Sequence, residues 1–210
     1  MKNSWKLFVF FLYVLGISSC ALPQFKREKV QNYMLWYEFD AKDNLCNLPY
    51  NVILRPITSN NSLNTTYMLL FNESNNLSYI PYSRWRIPVP QMIDALIYRD
   101  LIMSGIFQSV SKIPIYDYHI IISGHIFNFW IDLRGSSPTL KVGLLFEVLQ
   151  RYEGDNHLLF KKTYEISKSI SNSTPEEYAT AGSQAINEIT KNFFKEFCHV
   201  SQRDKYSTEK

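Results

Sequence analysis

The sequence predicts an α/β fold, a single domain in which a mixed β-sheet of about five or more strands packs with two main helices. The first observation is the order of elements, since strand patterns precede a helical pattern and the same order then repeats. The second is strict alternation of apolar and polar residues in two neighbouring segments, 140–148 and 158–166. The third is the helical spacing of apolar residues within 88–105 and 174–198.

The chain begins with the features of a signal peptide. Lys2 and Lys6 come first, an apolar run over residues 7–17 follows, and Ser18 and Ser19 end it. The run is too short to cross a bilayer, which takes about 20 apolar residues. A charged start, a short apolar run and small residues are typical of a secretory signal peptide, here residues 1–19.

Cys20 follows directly, and "ISSC" resembles the bacterial lipobox. In signals of that kind the thiol carries diacylglycerol, the chain is cut before the cysteine, and the new amine can be acylated. The resemblance implies a lipid anchor in which each buried methylene contributes about 0.8 kcal/mol. Ala21 is not the aspartate of an inner-membrane retention signal, so we expect an outer-membrane protein that faces the periplasm. A plain secreted protein is the alternative.

Charge and cysteine content narrow the remaining possibilities. The formal net charge is +3 and falls to +1 when Lys2 and Lys6 leave with the signal peptide, so nucleic-acid binding is not expected. Cys46 and Cys198 either form a disulfide, worth about 4–5 kcal/mol for so long a loop, or stay as two separate buried thiols. Since no metal-ligand spacing occurs, we expect neither a metal nor a cofactor beyond the lipid on Cys20.

The first half of the chain predicts a tether and four strands. Residues 20–31 are polar with mixed charge and indicate the tether. Strands are expected at 32–39 and 51–57, the second ending near a proline. Residues 67–72 and 77–82 form a candidate hairpin.

The central part predicts a helix between strands. Pro88 and Pro90 mark the start of the helix and Gly105 its end. The segment that follows could form a short strand. Residues 116–132 are apolar at both odd and even positions, which indicates a central strand covered on both faces.

The second half predicts a hairpin and a closing helix. Residues 153–156 join the two alternating strands. Thr174 to Glu177 fit a capping box. One apolar stripe follows on the helix, formed by Tyr178, Ala181, Ala185, Ile189 and Phe193. Gly182 lies beside it and would allow close packing on the sheet, and residues 199–210 read as a polar tail.

A search for catalytic chemistry finds no nucleophile, zinc or phosphate-loop motif. His119 and His125 would lie about 20 Å apart on one strand, so each is expected to make an ordinary hydrogen bond. We therefore do not expect an enzyme.

The most distinctive segment is 77–110, where a strand ends in Tyr82, Arg84, Trp85 and Arg86 before a proline-set turn and a helix. Since Trp, Tyr and Arg are favoured at interfaces, these four are candidate partner-binding residues. The alternative is that Trp85 fills the core and the arginines are solvated.

The same segment is similar to the signature of the ABC-type transport auxiliary lipoproteins, in which a tyrosine-bearing strand precedes an R-W-x-x-P element and a helix ending in S-G-x-F-x-x-V. The matching residues are Tyr79, Arg84, Trp85, Pro88, Leu96, Leu101, Ser104, Gly105, Phe107 and Val110. The resemblance extends over residues 32–198 and implies a mixed α/β domain without catalytic function.

The resemblance also implies a role and partners. Such lipoproteins accompany an ABC transporter and a membrane-anchored mammalian-cell-entry-domain protein in lipid transport, so this chain would dock that system at the outer membrane, and a homo-oligomer is one assembly it could form. One alternative is a structural or assembly lipoprotein of the envelope without a transport role. Another is a eukaryotic secreted glycoprotein, because Asn60, Asn64, Asn72, Asn76 and Asn172 all lie in glycosylation sequons.

Overall fold

A computed structural model describes residues 28–40, 46–114 and 117–208, with side chains described up to residue 203. Cys20 and the predicted signal peptide lie outside these residues. The strands are β1 (Gln31–Tyr33), β2 (Leu48–Leu54), β3 (Thr58–Ser59), β4 (Tyr67–Phe71), β5 (Leu77–Trp85), β6 (Phe107–Ser111), β7 (Ile120–Asp132), β8 (Thr139–Tyr152) and β9 (Asp155–Ser169). The helices are α1 (Val89–Met103) and α2 (Pro175–Thr208), with a 3₁₀ turn at Asn61–Leu63. The predicted mixed sheet with two main helices is confirmed.

The sheet is organised around β7. On one side β8 and then β9 follow as antiparallel strands. On the other side β2, β3 and β4 run parallel to successive parts of β7, from Val52 beside Ile120 to Phe71 beside Asp132. β6 extends the sheet beyond β2, whereas β5 and β1 extend it beyond β4. The sheet therefore divides into two arms on this side of β7.

The β8–β9 hairpin is the element that follows most directly from its sequence. Its turn consists of Glu153 and Gly154, with φ angles of 52° and 95°. Two successive positive φ angles are typical of the type I′ turn, whose twist matches that of the flanking strands. The predicted alternation is confirmed in β8, where Val142, Leu144 and Phe146 all lie buried on one face. In β9 it holds for Tyr164 but is wrong for Leu158, which is 58% exposed.

Helix α2 begins as predicted and ends later. The Thr174 hydroxyl accepts a hydrogen bond from the Glu177 N–H at 3.3 Å. The Glu177 carboxylate accepts from the Asn172 N–H at 2.6 Å, two residues before the position that a capping box uses. The helix continues to Thr208, so residues 199–208 of the predicted tail are helical.

Both helices cover the same face of the sheet, here called the inner face. The ring of Phe193 in α2 stacks on Phe146 of β8 at 4.3 Å between centroids. At Gly182 the helix comes so close that a Cβ atom would lie 3.0 Å from both Leu35 and Phe129. The predicted stripe from Tyr178 to Phe193 is buried against the sheet. This inner face forms the hydrophobic core.

Residues 34–40 continue from β1 along the helices and not within the sheet. The Trp36 N–H donates to the Ser183 hydroxyl of α2 at 2.9 Å, and the Arg99 guanidinium of α1 donates to the Tyr37 carbonyl at 3.0 Å. The strand predicted over 32–39 is therefore wrong beyond Tyr33. The alternating burial that suggested a strand comes from packing against helices.

The opposite side of the sheet is the outer face. Neither α1 nor α2 packs on it. The residues of β7 are nevertheless all buried or half-buried, and Ile121 on this side is only 4% exposed. The predicted cover on both faces of β7 is therefore confirmed, although no helix supplies it on this side. Some shielding comes from the sheet itself, since the Phe127 ring lies where a Cβ atom on Gly143 would be. Leu145, Glu147 and Leu149 of β8 are half-exposed there.

A disulfide joins Cys46, just before β2, to Cys198 in α2, with the Cα atoms 5.8 Å apart. Of the two alternatives left by the sequence, the structure shows the bonded one. The bond closes a loop of 152 residues and attaches the start of β2 to the helix that covers the inner face.

Candidate partner-binding surface

Trp85 belongs to the core. Its side chain is 1% exposed, and its ring meets Tyr178 and Phe129 edge-on at 5.1 and 5.8 Å. A partner could not reach this ring, so the prediction that Trp85 contacts a partner is wrong. The alternative, that the tryptophan fills the core, describes its position.

Tyr82 and Arg86 are both exposed, but they lie at different parts of the surface. Tyr82 has a φ angle of 54° and lines a cavity of about 460 Å³ with Tyr33 and Glu176. The hydrogen bond from the Tyr33 hydroxyl to the Glu176 carboxylate raises the pKa of that tyrosine to about 12. Arg86 instead lies beside residues 33–34, its backbone N–H donating to the Tyr33 carbonyl at 2.8 Å.

Arg84 lies on the outer face. Its guanidinium carbon lies 4.2 Å from the centre of the Tyr67 ring, and the Tyr67 ring packs on Tyr79 at 4.6 Å. A register shift between Tyr67 and Leu69 places Tyr67 opposite Arg84. The arginine thus lies over the Tyr67 ring, a contact worth about 0.5–1 kcal/mol at an exposed site.

A second cluster of the same kind lies at the end of β7. The Arg134 guanidinium covers Phe71 at 4.3 Å, and Phe71 packs on Trp130 at 5.8 Å. Arg134 also forms an ion pair of 2.8 Å with Asp132. Hydrogen bonds from Arg134 lower the pKa of the Asp132 carboxyl to about 2.

The two clusters form one surface, because the register pairs Leu69 with Tyr79 and Phe71 with Leu77, and paired residues point to the same side of a sheet. We call it the outer aromatic face, formed by Tyr67, Phe71, Leu77, Tyr79, Arg84, Trp130 and Arg134. Its rings offer apolar contact area and Arg84 can pair with a carboxylate, whereas Arg134 already pairs with Asp132. This chemistry suits the recognition of a protein partner.

Sequence reasoning selected only Arg84 of this face as a candidate binding residue. Tyr67 and Phe71 of β4, with Trp130 and Arg134, were missed. The alternation of side chains along β7 partly indicated this surface, since Trp130 lies between the buried Phe129 and Ile131. It could not show which strands lie side by side.

The histidines have ordinary partners, as predicted. The His119 Nδ1 accepts from the Asn51 N–H at 3.0 Å, and His125 hydrogen-bonds to Thr58 and Asn60. Among residues 28–40, 46–114 and 117–208, no three His, Cys, Asp or Glu side chains are grouped so that they could bind a metal ion. Neither helix in the described part of the chain has the length and apolar character needed to span a membrane.

Comparisons with known proteins give no sequence relative. No family model matches this chain, and no curated protein matches it.

Solved structures do resemble the fold. A protein of the DUF330 family from Xanthomonas campestris superposes with a TM-score of 0.71 at 14% identity, covering 84% of this chain and 98% of its own. A second structure, of an uncharacterised protein, gives a TM-score of 0.61 at 12% identity, covering 81% and 99%. A hypothetical protein from Chlamydia trachomatis gives 0.52 at 9% identity, covering 70% and 96%. At these identities the likeness shows a shared fold and nothing finer. The match covers nearly the full length of each of the three solved chains.

Proposed function

We propose that this chain is a lipid-anchored auxiliary component of an ABC-type lipid transport system, held at the outer membrane and facing the periplasm. The anchor is the diacylglycerol on Cys20. The domain acts by binding a protein partner and catalyses no reaction. Its partners would be the mammalian-cell-entry-domain protein and the transporter subunits.

The observation that carries the proposal is the position of Cys20. It follows the apolar run and two serines directly, as a lipidated cysteine should. The first strand, β1, begins at Gln31, eleven positions after Cys20. A folded domain at the end of a short polar tether is the arrangement expected of a lipoprotein.

The segment that resembles the transport auxiliary lipoproteins supports the finer part of the proposal. Its matching residues form one continuous unit, β5–α1–β6. Several of them have structural roles. Leu96 and Leu101 are buried in α1, and Gly105 ends that helix with a φ angle of 65°. Tyr79 and Arg84 differ, because both lie on the outer aromatic face. We assign partner binding to that face.

Labelling with palmitate tests the anchor. The wild-type protein should incorporate the label and fractionate with the outer membrane, and a Cys20→Ala variant should do neither. Incorporation of label by Cys20→Ala would contradict the assignment of the anchor.

Photo-crosslinking tests the partner. A photoreactive phenylalanine analogue at Tyr79, which is 54% exposed, should crosslink to the mammalian-cell-entry-domain protein in intact cells. Tyr152 is the matched control, because it is 57% exposed and pairs with Asp155 at the hairpin end of the sheet. The same analogue there should give no such product.

Two outcomes would count against the transport role. Equal crosslinking from both positions would remove the assignment of the outer aromatic face. Crosslinks from Tyr79 to peptidoglycan-associated or assembly proteins would favour the structural envelope lipoprotein instead.

A further inference from the structure

A second exposed apolar surface lies on the helix side of the molecule, where residues 34–36 run along α1. Trp36 is 64% exposed, and Met34, two residues before it, is also exposed. Between them Leu35 is buried, its side chain facing Gly182 of α2. The segment therefore presents a methionine and a tryptophan to the outside, on the side opposite the outer aromatic face.

Trp36 is held in this exposed position by its neighbours. Its N–H is fixed by Ser183 of α2 at 2.9 Å, and the next carbonyl, that of Tyr37, is fixed by Arg99 at 3.0 Å. The Tyr37 hydroxyl donates to the buried Asp100 carboxylate, which is also paired with Arg99. With its backbone anchored to both helices, the tryptophan is presented outward by the fold itself.

Arginines and further apolar side chains surround these residues. The Arg99 guanidinium lies 4.9 Å from the Trp36 ring, and an Arg86 nitrogen lies 4.0 Å from the Met34 sulfur. One helical turn beyond Arg99, Ile102 and Met103 are exposed on the same face of α1. The exposed Glu38 lies beyond Trp36 and limits the surface on that side.

We define the basal patch as Met34, Trp36, Arg86, Ile102 and Met103, together with Ile87, which directly follows Arg86 and is 38% exposed. Apolar residues with a tryptophan and an arginine that can snorkel are a composition found at the interface between water and lipid. Water surrounds them in the isolated chain, and transfer of their apolar surface from water into lipid is favourable.

The proposed anchor brings the basal patch close to a bilayer. Glu28 lies eight positions after Cys20, and an extended chain covers at most about 3.6 Å per residue. The first described residue thus lies within about 29 Å of the lipidated sulfur. The chain then passes through β1 directly into Met34 and Trp36.

We propose that the basal patch lies on the phospholipid surface, so that the domain is oriented with α1 toward the bilayer and the outer aromatic face toward the periplasm. This inference rests on the proposed lipid anchor. It assigns Trp36 and its neighbours to membrane contact, and it leaves the opposite face free for the partner.

Fluorescence quenching by brominated phospholipids tests the orientation. After removal of residues 1–19 the tryptophans are Trp36, Trp85 and Trp130. Trp85 is buried and Trp130 lies on the outer aromatic face. The processed, lipidated full-length protein would be reconstituted into vesicles with and without brominated acyl chains. Quenching should persist in Trp130→Phe and be lost in Trp36→Phe, and the emission of Trp130→Phe should shift to the blue on reconstitution.

Each outcome separates the orientation from the anchor. Mass spectrometry of the same preparation shows whether Cys20 carries lipid, and an unlipidated protein would overturn the proposed function together with the orientation. Lipidated protein without quenching, or with quenching lost in Trp130→Phe instead, would overturn the orientation alone. Melting temperatures of both variants are the control for folding. Trp36→Phe should match wild type because Trp36 is 64% exposed, and Trp130→Phe should stay close to it because phenylalanine keeps an aromatic ring at a half-buried site.

Discussion

The two faces of the sheet both carry aromatic side chains, but in opposite surroundings. On the inner face Phe146 is fully buried and stacks on Phe193 of α2 at 4.3 Å. On the outer face Phe71 remains half-exposed, with an arginine over it at 4.3 Å. Stacked rings that exclude water contribute to stability, whereas rings left in contact with water contribute little. The inner face therefore accounts for the fold, and the outer aromatic face is the region where a function is needed to explain the composition.

The largest expected effect concerns the attachment of the helix that covers the inner face. Replacing both cysteines, Cys46→Ser with Cys198→Ser, should lower the free energy of unfolding by about 4–5 kcal/mol, since the disulfide restricts the unfolded chain over 152 residues. Urea denaturation of the variant measures the change. Wild-type protein under a reductant should lose the same amount, and a loss below about 1 kcal/mol in both would show that packing alone attaches α2.

The second prediction compares the faces by one substitution. Phe146→Ala should cost about 3–5 kcal/mol because it leaves a cavity between β8 and α2. Phe71→Ala removes the same atoms from a half-exposed site and should cost less than about 1.5 kcal/mol. Thermal and urea unfolding of the two variants test the difference. Equal losses would mean that the outer aromatic face is as important for the fold as the core.

The third prediction concerns the arginine cluster itself. A double-mutant cycle with Arg84→Ala and Tyr67→Ala should give a coupling of about 0.5–1 kcal/mol in the free protein. With so weak a coupling energy, Arg84 and Tyr67 could rearrange when a partner binds. A coupling above about 2 kcal/mol would identify the pair as a structural element instead.

The sequence was most informative where periodicity determines structure. Alternation in β8 and β9 and the stripe from Tyr178 to Phe193 predicted both elements, because burial on one face imposes the period directly. Residues 34–39 show the limit of this reasoning. Their burial alternates as in a strand, yet their backbone groups bind Ser183 and Arg99. Periodicity reports which side chains are buried but not which backbone groups pair.

The candidate site depended on the same non-local information. Tyr82, Arg84, Trp85 and Arg86 are consecutive or nearly so, and strand geometry sends neighbouring side chains to opposite faces. Trp85 accordingly lies in the core while Arg84 lies outside. Arg84 meets Tyr67, which packs on Tyr79, because of the strand register and the irregularity in the β4–β5 pairing. Neither could be read from the local sequence.

The smallest expected effect is the pH dependence of the ion pair on the outer aromatic face. The pKa of Asp132 falls from its ordinary value of 3.8 to about 2 in the folded protein, chiefly through hydrogen bonds from Arg134. A depressed folded pKa adds stability at pH values above the unfolded pKa, and that stability is lost as the pH falls from about 4 to about 2. Because the Arg134 side chain is 45% exposed, solvent screening should keep the contribution below about 1 kcal/mol.

Asp132→Asn should therefore be slightly less stable than wild type at pH 6, and the two unfolding curves should converge near pH 2. Arg134→Gln removes the charged partner and should lessen the dependence in that window. A difference between Asp132→Asn and wild type that stays constant from pH 6 to pH 2 would show that the carboxylate acts through packing, and the outer aromatic face would then share more with the inner face than we infer.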